Sequence, residues 1–335
     1  MESQESVVVR RDGRIGRILL NRPKALNALD LAMIRACTTA LETWRDDPHV
    51  HAVVIEGAGE RAFCAGGDIR AVRQFSLEDK RSDVEVFFAE EYALNLLIAE
   101  YPKPYIALVD GICMGGGIGV SMHGAYRVAS EHAMFAMPET AIGFFPDIGA
   151  SYFLPRLPGS VGAYLALTGT RVNGADAVHV GFATHFTPRA HIHALSAALA
   201  AEGPGALGRF AQTVPAWTLA PHHAAIEHCF SADSVPEIFR RLEADGGAWA
   251  RETLNTLRAM SPSSLFWSFR LISEGAHRTL PQCLAVELAL TRTTTRHHEF
   301  LEGVRSMVVD KDRQPKWSPA RIEDVDPGAI AAMFA

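Results

Sequence analysis

The sequence predicts an α/β fold whose mixed core is followed by an all-helical C-terminal part. Over residues 1–200, short apolar runs typical of buried strands alternate with segments of helical periodicity. Beyond about residue 190 the strand signals nearly vanish. Strands that alternate with helices need crossover connections, which favours a largely parallel sheet. We therefore expect a core over residues 1–200 and a helical C-terminal region over residues 201–335.

Sequence pattern predicts each element of the core in turn. Val7–Val9 and Ile15–Leu20 flank the turn Asp12-Gly13, which predicts a β-hairpin. Apolar residues at helical spacing predict a helix from about Asp30 to Trp44. The same criteria predict a strand over 53–56, a long helix over about 77–100, and strands over 106–109, 126–129 and 134–136.

The C-terminal part is predicted to consist of helices. Gly203, Pro204 and Gly205 mark the change, because glycine and proline interrupt regular elements. Helical periodicity predicts five segments here, which are 194–201, 234–245, 249–260, 265–274 and 281–300.

Composition excludes several classes of protein. The 335 residues are 48% apolar and 21% charged, which allows a sizeable core. A net charge of -6 without any basic stripe argues against a nucleic-acid partner. No uncharged apolar run approaches the ~20 residues that a membrane helix needs, so we expect no membrane association.

The N-terminus and the cysteines predict the compartment. Met1–Glu5 is acidic and resembles neither a secretory signal nor an arginine-rich transit peptide. The five cysteines are scattered and lack CxxC spacing, which favours free thiols and argues against a zinc site. His222-His223 and His297-His298 are adjacent pairs whose side chains point apart on a helix, so they chelate poorly. We expect a cytoplasmic protein without a metal.

Two glycine-rich segments about fifty residues apart are the main functional signal. Phe63–Asp68 follows the apolar run Ala52–Ile55, and Gly111–Gly117 follows the apolar run that ends at Val109. Glycine lets the main chain approach a ligand closely, so two such turns can direct backbone N–H groups at one oxygen. Tight turns with close helix packing are the alternative interpretation.

Other catalytic motifs are absent. GxGxxG does not occur in residues 111–120 and no P-loop occurs in the chain, which argues against dinucleotide and nucleotide binding through those motifs. Ser121 and His123 lack the GxSxG context of a serine hydrolase. Two carboxylates, Glu139 and Asp147, follow the glycine segments and are candidates for proton transfer or nucleophilic attack.

Phe63–Asp68, Gly111–Gly117 and Met137–Glu139 together resemble the crotonase (enoyl-CoA hydratase/isomerase) superfamily. The resemblance implies the ββα spiral core of that superfamily. It also implies that the amide N–H groups of Gly67 and Gly116 form an oxyanion hole for an acyl-CoA carbonyl. The CoA then arrives as part of the substrate, and no separate cofactor is implied.

Further stretches resemble the hydrolase branch of this superfamily, whose substrate is 3-hydroxyisobutyryl-CoA in valine breakdown. These are Glu90–Asn95, Phe135–Asp147 with 152–157, and Phe300–Arg305 with 310–312 and 315–317. Hydratases are expected to carry a second glutamate at the position of Gly119, and usually a glycine at that of Asp147. Glu139 with Asp147, and without a glutamate at 119, therefore implies thioester hydrolysis. Whether Glu139 acts as nucleophile or as general base stays open.

The resemblance assigns five substrate-binding residues as well. Lys24, Ala25 and Leu26 match the segment that meets the CoA nucleotide, and a lysine suits a phosphate. Asp68 follows the first oxyanion donor and is expected to fix its own loop. Glu91 either lines the substrate pocket or is an exposed helix residue beside Glu90.

Two alternatives to the hydrolase remain. An enoyl-CoA hydratase or isomerase of the same superfamily would use Glu139 to move a proton, and an isomerase works with one base. A non-catalytic acyl-CoA-binding protein would keep the fold without needing both carboxylates. Superfamily members often form trimers, so a homo-oligomer, trimeric or smaller, is a further expectation.

Overall fold

Two compact units make up the part of the chain that the computed structural model describes, residues 5–334. The sheet unit comprises the residues up to Asp68 together with Glu90–Phe135 and Val172–Trp217. The helical unit comprises Ile69–Ala89, Ala136–Arg171 and the residues from Thr218 onward. Both units are built from separate stretches of sequence, and the predicted division at residue 200 stays a prediction. The prediction that Met1–Glu5 is neither a signal nor a transit peptide falls mostly on residues 1–4, which lie outside the described residues.

Ten strands occur in the described residues. In chain order they are β1 (Val7–Asp12), β2 (Ile15–Leu20), β3 (Ala52–Gly57), β4 (Ala62–Cys64), β5 (Tyr105–Val109), β6 (Ile112–Met114), β7 (Tyr126–Ala129), β8 (Met134–Ala136), β9 (Val172–Asn173) and β10 (His185–Phe186).

Sixteen α-helices accompany them in residues 5–334. In chain order they are α1 (Leu31–Arg45), α2 (Ile69–Leu77), α3 (Arg81–Ala99), α4 (Gly116–Met122), α5 (Ala150–Phe153), α6 (Val161–Thr168), α7 (Gly174–Val180), α8 (Arg189–Glu202), α9 (Leu207–Phe210), α10 (His223–Phe230), α11 (Val235–Asp245), α12 (Ala248–Ala259), α13 (Pro262–Gly275), α14 (Leu280–Thr294), α15 (His298–Val304) and α16 (Pro327–Ala332). The predicted α/β class is confirmed.

The larger sheet has six strands in the order β1-β2-β3-β5-β7-β10. β1 and β2 form the predicted hairpin, and the other neighbours pair in parallel. The central parallel strands β3 and β5 are almost entirely buried, as apolar runs without polar alternation predict. α8 places Leu195 and Leu199 against Ile15, Val54 and Ile106 of this sheet.

A second sheet of four strands, in the order β4-β6-β8-β9, carries the two glycine-rich segments. β4 and β6 pair in parallel, with Cys64 opposite Cys113, so both strands run toward the same edge. Carboxyl ends of parallel strands are the usual place for a ligand in α/β proteins.

α13 lies at the core of the helical unit and packs against α5 and α6. Its residues Leu265, Trp267 and Leu271 are buried. Gly275 allows the close approach, since a Cβ there would meet the carbonyl oxygen of Ser151 at 2.0 Å.

Two predicted helices are interrupted. The helix expected over 77–100 begins only at Arg81, and Leu77 is instead the last residue of a separate helix, α2. The two helices are separated by a turn in which Asp79 is left-handed (φ 54°). The helix expected over 281–300 divides into α14 and α15, where the His297 side chain accepts the N–H of Glu299 as an N-cap. No helix within residues 5–334 is long and apolar enough to cross a membrane.

Candidate active site

The two glycine turns end neighbouring strands of the sheet unit. After β4, Gly66 has φ 112°, and after β6, Gly115 has φ 46°. Residues with side chains rarely adopt such angles, so glycine is needed at both positions. Gly115 precedes α4, whose first residue is Gly116.

Gly67, Gly116 and Glu91 lie together at these turns. A Cβ built on Gly116 would be 3.1 Å from the amide nitrogen of Gly67 and 2.4 Å from Glu91 Oε1. The N–H of Gly116 belongs to the first turn of α4, where no intrahelical acceptor is available. The structure thus brings together three of the residues that the sequence singled out.

Glu91 lies on α3 and is 2% exposed, so the exposed alternative is wrong. Asn95 follows it by four residues, on the same face of the helix, and is fully buried. Neither polar atom of the Asn95 amide has a hydrogen-bond partner among the described residues. Sequence reasoning missed Asn95, although a polar residue four positions after Glu91 in an apolar helix was a usable signal.

The segment Lys24–Leu26 is exposed or half-buried and adjoins the first glycine turn. The carbonyl oxygen of Leu26 accepts the N–H of Ala65 at 3.0 Å. Asn27 follows the segment and fixes its end, because its side-chain amide donates to the carbonyl oxygens of Ala58 and Ala62, each at 2.9 Å. Sequence reasoning missed Asn27, which is fully buried and has a left-handed backbone (φ 57°).

Asp68 contacts Arg22 at 3.4 Å. Arg22 also donates to the carbonyl oxygen of Ala28 at 2.7 Å. These contacts join the loop after Gly67 to Arg22 and Ala28, which flank the Lys24–Leu26 segment. The positioning role of Asp68 stays a prediction.

α4 carries two further residues that bear on the chemistry. Gly119 presents no side chain, and its N–H donates to the carbonyl oxygen of Gly115 at 3.2 Å. The buried Ser121 hydroxyl donates to the carbonyl oxygen of Gly117 at 2.9 Å, within its own helix. That bond commits Ser121 to helix structure rather than to nucleophilic attack.

The thiols near the glycine turns are unsuited to catalysis. Burial raises the pKa of Cys64 to about 12 and the pKa of Cys113 still further. A thiol must ionise to act as a nucleophile, so these groups are inert at neutral pH. All five cysteines are buried and free, and residues 5–334 contain no cluster of three or more potential metal ligands.

Glu139 lies in the helical unit, buried at the start of a 3₁₀ turn that spans Glu139–Ile142. Gly143 ends the turn with φ 65°, and a Cβ there would meet the carbonyl oxygen of Glu299 at 2.2 Å. Thr140 fixes the turn from both sides, because its carbonyl accepts the N–H of Ser261 at 3.1 Å and its hydroxyl donates to Leu167 at 3.1 Å.

Asp147 lies in the same unit, on a second tight turn, and is buried. Two left-handed residues follow it, Ile148 with φ 58° and Gly149 with φ 82°. The carboxyl group of Glu287, from α14, accepts the N–H of Gly149 at 2.7 Å and the N–H of Ser151 at 3.0 Å. Burial raises the pKa of Glu287 to about 8, and the charge of Asp147 adds to this.

Aromatic residues pack beside these turns in the helical unit. Phe144 stacks on Phe145 at 4.3 Å and lies 5.7 Å from Phe88 and 5.6 Å from Phe300, measured between ring centroids.

The C-terminal tail is held near α15 by Arg305, which pairs with Glu302, Asp310 and Asp312 at 2.7, 2.7 and 2.6 Å. The tail residues that carried part of the resemblance therefore have a structural role.

Comparison with known proteins identifies the family. A sequence model described as enoyl-CoA hydratase/isomerase matches residues 15–334. Among curated proteins, 3-hydroxyisobutyryl-CoA hydrolase, mitochondrial, from Xenopus tropicalis is 46% identical, over 96% of this chain and 86% of its own. The protein of the same name from Homo sapiens is 44% identical, over 97% of this chain and 87% of its own.

Solved structures agree on the fold and carry other reaction names. One titled carnitinyl-CoA dehydratase from Mycobacterium thermoresistibile is 38% identical with a TM-score of 0.95, covering 99% of this chain and 97% of its own. One titled enoyl-CoA hydratase from Rhodobacter sphaeroides is 38% identical with a TM-score of 0.93 and the same coverage. The predicted crotonase-type fold is confirmed.

The predicted cytoplasmic location is wrong by this comparison. The curated relatives cited above carry the word mitochondrial in their names, as do the others of 41–45% identity. The prediction rested on the acidic character of Met1–Glu5 and on free cysteines. Free cysteines are a poor guide to location, because thiols stay reduced in more than one compartment.

Proposed function

The chain belongs to the enoyl-CoA hydratase/isomerase family, and we propose that within this family it hydrolyses a short branched 3-hydroxyacyl-CoA thioester. The proposed substrate is 3-hydroxyisobutyryl-CoA, and the products are 3-hydroxyisobutyrate and free CoA, a step of valine breakdown. The observation that carries the proposal is the carboxylate pattern. Glu139 and Asp147 are both buried on tight turns, whereas α4 presents Gly119 where a hydratase is expected to have its second glutamate. The names of the curated relatives support the same reaction.

We assign the amide N–H groups of Gly67 and Gly116 to the thioester oxygen. Attack on the carbonyl carbon moves an electron pair onto that oxygen, and two fixed N–H donors stabilise the resulting charge without reorganising. Each such donor is typically worth about 2.7–4 kcal/mol of barrier. The closeness of Gly116 to the Gly67 nitrogen supports the pairing.

Glu139 is assigned the reaction at the carbonyl carbon, by one of two routes. As a nucleophile, its carboxylate forms a mixed anhydride and expels CoA thiolate, and water then cleaves the anhydride. As a general base, it takes a proton from water while the hydroxide attacks and CoA thiolate leaves. Asp147 is assigned to orient that water or to accept a hydrogen bond from the substrate 3-hydroxyl.

The remaining predicted residues are assigned to substrate binding. Lys24 is exposed and is proposed to contact a phosphate of the CoA nucleotide, with Ala25 and Leu26 beside it. Glu91 adjoins Gly116 and is proposed to line the acyl pocket. Asp68 is proposed to hold the loop that carries Gly67, through Arg22.

An enoyl-CoA hydratase is the second candidate, and the titles of the solved structures favour it. Hydration adds water across a double bond and leaves the thioester intact. An isomerase, or a protein that binds acyl-CoA without turnover, would leave the thioester intact as well. Release of free CoA is therefore the property that separates the proposed reaction from the others.

The test measures thiol release from 3-hydroxyisobutyryl-CoA with a chromogenic trap, while the enoyl absorbance of crotonyl-CoA is followed in parallel. We expect rapid thiol release from 3-hydroxyisobutyryl-CoA and no loss of the enoyl absorbance of crotonyl-CoA. Loss of enoyl absorbance without free thiol would establish the hydratase and refute the proposal. Glu139→Gln serves as the control, because it retains the shape of the side chain and removes the carboxylate.

A further inference from the structure

Glu287 is a buried acid to which the proposed reaction assigns no role. It lies within α14 and is 0% exposed. Both of its carboxyl oxygens are engaged. Oε2 accepts the N–H of Gly149 at 2.7 Å, while Oε1 accepts the N–H of Ser151 at 3.0 Å and the Ser151 hydroxyl at 2.5 Å.

All three bonds go to one turn, 136 to 138 residues earlier in the chain. Asp147 begins this turn, and its carbonyl oxygen accepts the N–H of Ala150 at 2.8 Å. Ile148, between Asp147 and Gly149, has φ 58°, a left-handed conformation that is a true outlier for a β-branched residue. Such a conformation persists only where surrounding structure holds it in place.

The bonds from Glu287 supply that constraint. They fix the directions of two N–H groups, one and three residues after Ile148, and so leave the backbone of the turn little freedom. The direction of the Asp147 side chain is set by this backbone, because Asp147 is the residue from which the turn starts. A buried acid is costly unless its oxygens are bonded, so its use here points to a specific task.

We propose that Glu287 is a positioning residue for Asp147, acting through the N–H groups of Gly149 and Ser151 to hold the left-handed turn that directs the Asp147 carboxylate. This inference rests on the proposed function insofar as Asp147 takes part in thioester hydrolysis. Two titratable groups interact electrostatically with Glu287. In addition to burial, the charge of Asp147 raises the pKa of Glu287, and the charge of Glu287 raises the pKa of Cys283.

The variant that tests it is Glu287→Gln. The amide nitrogen of glutamine cannot accept a hydrogen bond, so one of the two N–H groups loses its partner. We expect kcat for CoA release to fall about tenfold to a hundredfold, as for a misplaced catalytic group, with KM changed less than twofold. The matched control is Thr291→Val, which removes a hydrogen bond from a fully buried residue one turn further along α14 and is expected to leave kcat unchanged.

A double-mutant comparison separates positioning from a general loss of structure. In an Asp147→Asn background, Glu287→Gln should cause no further fall in kcat, because the group it positions is already lost. A fall of the same size in both backgrounds, or a wild-type kcat for Glu287→Gln, would refute the proposal. If Glu287→Gln fails to fold, Ser151→Ala replaces it, because it removes only the hydroxyl contact to Glu287. Ser151→Ala should lower kcat in the wild-type background and cause no further fall in the Asp147→Asn background.

Hydrogen exchange makes the test independent of the proposed reaction. The amides of Gly149 and Ser151 should exchange faster in Glu287→Gln than in the wild type, and at the wild-type rate in Thr291→Val. A wild type that releases no CoA would refute the proposed function, yet this exchange result would still decide whether Glu287 holds the turn. Unchanged exchange at both amides would refute the positioning role whatever the activity.

Discussion

The carboxyl group of Glu287 accepts the backbone N–H of Gly149 at 2.7 Å, although 138 residues separate the two in sequence. Gly149 stands two residues after Asp147, on a turn with two consecutive left-handed residues. A helix far along the chain thus sets the backbone from which one of the two candidate catalytic carboxylates projects. The corresponding turn at Glu139 is braced in a similar way, by Ser261 at the start of α13.

Replacing Glu139 by Gln should abolish most turnover while preserving the fold. The amide can neither attack the thioester nor take a proton from water, and groups of this kind typically contribute about 10²–10⁴-fold to the rate. Steady-state CoA release measures the effect, and circular dichroism with thermal melting checks the fold. A kcat within twofold of wild type would remove Glu139 from the mechanism.

Gly116→Ala keeps its own backbone N–H but should reduce kcat by about 10²-fold, the effect expected when an oxyanion donor is displaced from its position. The new methyl group would lie 3.1 Å from the Gly67 nitrogen and 2.4 Å from Glu91 Oε1, so the Glu91 carboxylate must move and the Gly67 N–H must shift by a few tenths of an ångström. Gly208→Ala is the matched control, because a Cβ there meets nothing within 4 Å. Equal activity of the two variants would contradict the oxyanion assignment.

Lys24→Ala should raise KM for the CoA substrate several-fold and leave kcat unchanged, because a phosphate contact far from the thioester contributes to binding alone. The same variant should behave like the wild type with a 3-hydroxyisobutyryl-pantetheine substrate, which lacks the nucleotide. Adding salt should reduce the difference, since exposed charge pairs are screened. An equal change in KM with both substrates would show that Lys24 does not contact the nucleotide.

The buried acid predicts a dependence of stability on pH. The pKa of Glu287 is raised from 4.5 to about 8, so between these values the unfolded state binds fewer protons than the native state. The free energy of unfolding contributed by this group is therefore complete below about pH 4.5 and is lost as pH rises to about 8. Glu287→Gln lacks this loss, so the difference in Tm between wild type and variant should shrink from pH 5 to pH 8. A constant difference across that range would contradict a raised pKa.

The sequence was enough to predict those elements that are formed by residues close together in the chain. The hairpin at Asp12-Gly13, the strands around Ile106 and Val128, and the glycine turns all depend on residues close in sequence. The proximity of Gly67 and Gly116 also followed, because parallel strands bring their carboxyl ends to one edge. The predicted bounds of β2, β5 and β7 differ from the observed ones by one residue at most, whereas β1 continues three residues beyond Val9 to Asp12.

Interactions between distant segments could not be predicted. Nothing near Glu287 in the sequence identifies Gly149 and Ser151 as its partners, and helical periodicity alone marks it as one more residue of α14. Asn27 and Asn95 were missed for the same reason, since the burial of a polar side chain depends on which elements pack over it. The break before α15 depends on His297 as an N-cap, a role for which histidine is not a preferred residue.

The most direct test of the proposed reaction is mass spectrometry of the products formed from 3-hydroxyisobutyryl-CoA in water labelled with heavy oxygen, over many turnovers. We expect one labelled oxygen in the carboxylate of 3-hydroxyisobutyrate and an equal amount of free CoA. Both mechanistic routes for Glu139 give this result, so it tests hydrolysis itself. A thioester that stays intact, with crotonyl-CoA acquiring the label at its third carbon instead, would contradict thioester hydrolysis and establish a hydratase.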